Sequence, residues 1–229
     1  MREKNLNEVV PESRSLYQNG CAASDQGDLD KAIALFNQVL IQEPGLVECR
    51  EALRRAQFAR FEKNKGFMNH IIDEVREVPE LAEAEVYLRS KPLKAIQAAE
   101  RVLNRIPTSV LAHKILAEAA LKMSMYRTAF PSLDFVRSHG GTENIDINLE
   151  LANALAESGD VSKGLTICGR LLKEYPENQR VTRTLGRLSK LAFDEETSLR
   201  RPSRSTPRFQ RPSVKPYATN RTSRSILAK

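Results

Sequence analysis

An all-α fold of stacked antiparallel helix hairpins is predicted by two matching stretches of this sequence and by the absence of any competing strand pattern. Residues 26–44 read QGDLDKAIALFNQVLIQEP and residues 158–176 read SGDVSKGLTICGRLLKEYP. In each, a Gly-Asp pair (Gly27, Gly159) leads five positions on to a small residue, Ala32 or Gly164. An apolar residue follows (Ile33, Leu165), then an apolar pair (Val39-Leu40, Leu171-Leu172) and a closing proline (Pro44, Pro176). No long stretch alternates polar and apolar residues between turn signals, as strands would.

Each position in the pattern has a physical role. Gly27 and Gly159 can take positive φ and end a first helix. Asp28, or by preference Asp30, can cap the second helix by accepting orphan backbone N–H groups. Ala32 and Gly164 let paired helices approach closely, and Pro44 and Pro176 end the second helix because the residue before a proline avoids the α region. Weaker copies lie between. Lys94-Ala95-Ile96 with Val102-Leu103 and Pro107 matches the second half of the pattern, with Pro92 at a helix start, and Thr128-Ala129-Phe130 with Leu133 and Val136 matches again.

These offsets resemble the tetratricopeptide (TPR) repeat, whose period is about 34 residues. Ala95 to Ala129 spans 34 residues and Ala129 to Gly164 spans 35, in register with that period. Ala32 to Ala95 spans 63, short of two periods, so an irregular unit is expected there. The resemblance implies a right-handed α-solenoid over residues 13–193, after a flexible N-terminus (1–12) and before a disordered basic tail (194–229). Its units fall at about 13–46, an irregular 47–75, then 76–109, 110–143 and 145–178, closed by a capping helix at 179–193.

Within the irregular part, Val47 to Phe61 reads as a helix, with Leu53, Ala56, Gln57 and Arg60 at helical spacing. Phe67, Met68, Ile71, Ile72 and Val75 form a second apolar stripe. It fits a repeat helix packing into the array, or a docking helix flanked by Lys63 and Lys65; Asp73 and Glu74 oppose a membrane-surface role.

The chain has 229 residues, 41% of them hydrophobic and none Trp, which suits one elongated helical domain. No apolar run approaches the roughly 20 residues of a membrane span, and the first residues lack the apolar core of a secretory signal, so the cytoplasm is the expected compartment. Cys21, Cys49 and Cys168 are expected as free thiols. His70, His113 and His139 lack ligand spacing, and Gly140-Gly141 has no phosphate-loop context, so no catalytic residue, cofactor or metal is expected.

Binding is therefore expected from the surface. In the family the first helix of each pair lines a concave groove, which places Tyr17, Cys21 and Ser24 there from the first unit and Lys114, Glu118, Leu121 and Lys122 from the third. Asp146, Leu149, Asn153, Ala156 and Glu157 come from the fourth, and Arg180, Arg183, Arg187 and Lys190 from the capping helix. Some family members grip a peptide's terminal carboxylate through Lys and Asn; Tyr17 and Cys21 occupy two of those positions, which argues against that activity. The cationic stripe Arg180, Arg183, Arg187 and Lys190 either pairs with Asp146, Glu150 and Glu157 or meets an anion or acidic peptide.

Residues 200–229 carry nine Lys/Arg and no Asp/Glu, whereas residues 1–199 carry 27 basic and 29 acidic residues. A polyanion-binding role for Arg200, Arg201, Arg204, Arg208, Arg211, Lys215, Arg221 and Arg224 follows from that composition. The resulting expectation is a non-catalytic protein-protein interaction scaffold or adaptor with a protein or peptide partner in its groove and a tail that adds electrostatic attachment. The alternative is a nucleic-acid-associated (RNA or ribosome) protein bound mainly through the tail.

Overall fold

The computed structural model describes residues 2–64, 79–140 and 145–200. They form α1 (Pro11–Asp25), α2 (Leu29–Gln42), α3 (Val47–Lys63), α4 (Pro79–Ser90), α5 (Pro92–Arg105), α6 (Val110–Lys122), α7 (Tyr126–Gly140), α8 (Ile145–Glu157), α9 (Val161–Glu174) and α10 (Gln179–Arg200). Apart from α3 and α4, consecutive helices pack on one another, and the fold is an all-α solenoid of antiparallel hairpins. The helix stripe 67–75 lies outside the described residues.

One turn recurs in three hairpins, and its chemistry explains the spacing. Gly27 and Gly159 have φ of 78° and 97°, and Ser124 joins them at 57°. In each turn the positive-φ residue donates its N–H three residues back and the next residue donates five back. The latter bonds are Asp28 N to Ala23 O at 2.9 Å, Met125 N to Ala120 O at 2.9 Å and Asp160 N to Leu155 O at 2.9 Å. Five residues beyond each turn stands the small, buried residue of the next helix: Ala32, Ala129 or Gly164. A Cβ on Gly164 would stand 2.7 Å from the Ala152 carbonyl oxygen and 3.1 Å from Leu188 Cδ1, so the position admits hydrogen alone.

Ser124 holds the turn that the repeats around it give to glycine, and a left-handed conformation costs a non-glycine residue roughly 1–2 kcal/mol. Ser124→Gly should therefore stabilise the fold by about 0.5–1 kcal/mol, read as a higher urea midpoint at unchanged m-value.

Three sequence expectations are corrected here. Asp28, not Asp30, caps α2, accepting from Lys31 N at 3.2 Å, because it is the last residue outside the helix; Asp30 lies in the first turn and pairs with Arg60. The capping helix continues past residue 193 to Arg200, since nothing in Phe193 to Arg200 breaks a helix. The N-terminal residues are tied down, not loose. Lys4 N donates to Gly45 O at 2.8 Å, and the Lys4 ammonium pairs with Glu43 at 2.7 Å. Both Glu3 carboxylate oxygens accept from the first turn of α7, at 3.0 Å from Arg127 N and 2.7 Å from Thr128 N.

The core is divided. Among the described residues, Val9 to Ala56 form one apolar cluster, Leu81 to Leu155 a second and Leu149 to Leu188 a third. The second and third share α8, whereas α3 meets the rest of the protein by lying against α5 and α7, the second helices of their hairpins. That joint is polar. Glu100 of α5, 5% exposed, receives Arg50 at 2.8 Å and Arg54 at 3.2 Å. Asn104 accepts from Gln57 at 2.6 Å and Asn37 at 3.3 Å, and its carbonyl accepts from Arg60. Phe58 against Phe135, with centroids 5.8 Å apart, adds an aromatic contact.

Candidate partner-binding groove

The first helices α4, α6 and α8 carry two adjoining clefts. One, of about 360 Å³, is lined by Glu85, Leu88, Arg89, Leu111, Lys114, Ile115, Glu118 and Lys122. The other, of about 230 Å³, is lined by Lys114, Glu118, Leu133, Val136, Asp146, Ile147 and Glu150. Lys114 and Glu118 belong to both, so the clefts form one band across three helices. The α6 contribution follows from helical geometry: Leu111, Lys114, Glu118 and Lys122 recur three or four residues apart and share one face, while Ala112, Leu116, Ala119 and Ala120 are buried on the other.

The band mixes both signs of charge. Lys122 lies 3.5 Å from Glu118 and donates to Leu88 O at 3.1 Å, closing one end. Glu150 reaches solvent, yet desolvation and the neighbouring Glu118 and Asp146 push its carboxyl above the ordinary range. Leu111, 42% exposed, supplies an apolar foothold beside these charges.

The α10 stripe is shared between internal and free positions. Arg180 pairs with Asp146; Arg187 reaches Glu157 at 2.9 Å and Asn153 at 2.6 Å. Arg183 makes one bond, at 3.4 Å to Gln179 within its own helix, and Lys190 is exposed. Exposed pairs of this kind contribute about 0–1 kcal/mol each. Their larger effect is to fix α10 beside α8.

Other expected groove residues sit elsewhere. Tyr17 and Cys21 belong to the N-terminal lobe, where the Tyr17 ring packs 5.9 Å from Phe36. Burial, followed by its bond to Cys21, pushes the Tyr17 phenol up to about 12. Leu149 and Ala156 are buried in the core beneath α8 instead of facing the groove, because their positions point toward α9 and α10. Arg200 ends α10, and Arg201, Arg204, Arg208, Arg211, Lys215, Arg221 and Arg224 lie outside the described residues.

The thiols carry no sign of nucleophilic chemistry. All three are free, and burial pushes Cys49 up to about 12 and raises Cys168. Among the described residues no cluster of His, Cys, Asp and Glu could hold a metal ion. None of the helices there is long and apolar enough to cross a membrane.

Sequence reading missed the polar joint. Its signal was present: Glu100 stands four residues after Ile96 and three before Leu103, a carboxylate on the apolar face of α5.

Stacked hairpins with a shared turn and a band of open first-helix residues define a helical-repeat protein of the interaction-scaffold class. Residues 147–178, spanning most of α8 and all of α9, match the family model for the tetratricopeptide repeat. No curated protein matches its sequence. Similar solved structures include the MamA protein, 17% identical over 83% of this chain and 88% of that one, with a TM-score of 0.41. TTC0263, a thermophilic TPR protein of Thermus thermophilus, is 16% identical over 79% and 99% of the two chains, with a TM-score of 0.38. Acl4, an assembly chaperone of RpL4, is 14% identical over 82% and 85%, with a TM-score of 0.38.

Proposed function

We propose that this protein is a non-catalytic adaptor that holds an extended segment of a partner protein in the band formed by α4, α6, α8 and α10. The observation that carries the reading is the continuity of the two clefts through Lys114 and Glu118, with Leu111 exposed beside them. A bound segment would place an apolar side chain against Leu111, an acidic group toward Lys114 or Arg183 and a basic group toward Glu118 or Glu150. Charge pattern would then set selectivity, and burial of the apolar anchor would supply affinity.

The tail, with nine Lys/Arg and no acidic residue over 200–229, adds salt-sensitive attachment to an acidic surface of the partner. Its contribution and that of the groove are separable in the full-length chain. Peptides selected on the wild type from a display library should bind the Lys114→Glu/Arg183→Glu variant roughly 3–10-fold more weakly, as two rim charges of up to about 1 kcal/mol each require. Replacing the nine tail cations by Gln should leave peptide affinity unchanged while lowering the salt dependence of binding to the intact partner. Undiminished peptide binding by the double variant would rule out the band as the site.

A further inference from the structure

The first lobe has its own core and covers the array through a polar surface. Among the described residues its apolar cluster, Val9 to Ala56, includes nothing from α4 to α10, so no apolar layer is shared across the joint. What crosses is directional. The lobe donates through Arg50, Arg54 and Gln57, and the array accepts through Glu100 and Asn104. At the start of α7 the direction reverses: Arg127 N and Thr128 N donate to Glu3, and the Arg127 guanidinium donates to Asn5 at 2.8 Å. Phe58 on Phe135 is the aromatic contact between the two parts.

The joint is also incompletely filled. A cleft of about 480 Å³ opens between α2 and α5 with Arg50 at its edge. Another, of about 330 Å³, opens between α3 and α7, with Arg50, Arg54, Arg55 and Arg127 in its walls. Arg50 Nε and Thr128 Oγ1, both buried, have no hydrogen-bond partner among the described residues. Permanently packed interiors leave few voids larger than a water molecule and pair nearly all buried polar atoms. A polar, loosely filled interface between lobes is one that opens.

Helical spacing shows what the covered surface recognises. On α3, Arg50, Arg54 and Gln57 face the array at intervals of four and three, while Cys49, Leu53 and Ala56 fill the adjacent row and pack into the lobe. With Phe58 the array-facing anchors fall at i, i+4, i+7 and i+8, the pattern of a helix laid in a groove. Here the groove is the outer face of α5 and α7, and its receptors are Glu100, Asn104 and Phe135.

We propose that this face is a docking surface for a basic helix of a partner protein, occupied in the resting chain by its own α3. The partner helix carries two arginines four residues apart, an amide three further on and an aromatic beside the amide. Its binding displaces the first lobe, whose covalent tie to the array is residues 65–78. The surface belongs to the layer of second helices and is independent of the band on the first helices.

A synthetic peptide of residues 47–64 with Cys49→Ser is the probe, titrated into the full-length protein. A tethered occupant competes at an effective concentration on the order of mM, so the apparent affinity of the peptide scales with the open fraction. Glu3→Gln/Phe58→Ala loosens the lobe while leaving Glu100, Asn104 and Phe135 in place. The loosened protein should bind the peptide about 5–20-fold more tightly than wild type does, as loss of one helix-terminus charge and one aromatic pair requires. A second peptide carrying Arg50→Gln and Arg54→Gln should bind neither protein, and Lys114→Glu/Arg183→Glu should leave binding of the first unchanged. Equal affinity for wild-type and loosened proteins, or no binding to the loosened one, would overturn the proposal. So would equal binding by the arginine-free peptide, or loss of binding in the Lys114/Arg183 variant, which would place the peptide in the band.

Discussion

Replacing Glu100 by Gln should cost the folded protein about 3–5 kcal/mol, the largest loss expected from a single isosteric change in this chain. Glu100 is 5% exposed and receives two arginines, Arg50 at 2.8 Å and Arg54 at 3.2 Å. Burial alone would raise its carboxyl; Arg54 and Arg50 together outweigh that and hold it below the ordinary range. Gln preserves shape and one acceptor but removes the negative charge that pairs with both guanidinium groups. The same reasoning gives a rescue. Substituting Arg50, Arg54 and Glu100 together by Met should recover much of the loss, because well-packed apolar residues avoid desolvating any charge. Urea denaturation of the three proteins is the measurement. A Glu100→Gln variant within about 1 kcal/mol of wild type would mean that the joint contributes little to folding. The loss should also appear first between lobes, as rapid amide exchange in α3 while α8 and α9 stay protected.

Acidification from pH 6.5 to 4 should remove about 3 kcal/mol of stability through His113. Its imidazole is buried and stacked 4.0 Å from Phe135. Desolvation first, and Arg54 second, lower it from an ordinary 6.5 to about 4. The unfolded chain therefore takes up a proton at about pH 6.5 that the folded chain refuses until about pH 4. Across that window the unfolded state binds more protons, so stability falls as pH falls. Glu150, pushed upward, works in the opposite sense, and Glu100, held low, adds to the fall at the acid end of the window, from the ordinary carboxylate value of 4.5 downward. In His113→Gln the slope between pH 6.5 and 4 should largely disappear, though from a lower starting stability because the stacking and both ring hydrogen bonds change. Equal slopes in variant and wild type, by urea midpoints across pH, would show that His113 is not the titrating group.

Much of the repeat was legible in the residues because its determinants are local. A glycine with positive φ and a small residue five positions on are dictated by turn geometry and by the approach of adjacent helices, so Gly27, Gly159 and Gly164 announce themselves; the capping aspartate did not, since Asp28 and Asp30 both suit a cap by residue type. Ser124 was harder: it adopts the same turn and makes the same bonds at an energetic cost, so the conformation is repeated where the letter is not. The groove was partly legible. Lys114, Glu118 and Lys122 line it as helical phase requires, whereas Leu149 and Ala156 are buried because α9 and α10 cover the flank of α8 on which they stand.

The amino-acid sequence by itself determined the hairpins and their turns, since each depends on contacts between neighbours in the chain. Tertiary structure alone decided how the first lobe meets the rest. The 63-residue interval between Ala32 and Ala95 signals an interruption without saying where α3 goes. Its resting place against α5 and α7 depends on Glu100, Asn104 and Phe135 meeting Arg50, Gln57 and Phe58 across separations that no periodicity encodes. Polar pairing at a distance leaves only a misplaced charge in a helix as its trace, and both the joint and the arginine-lined cleft beside it become visible once the chain is folded.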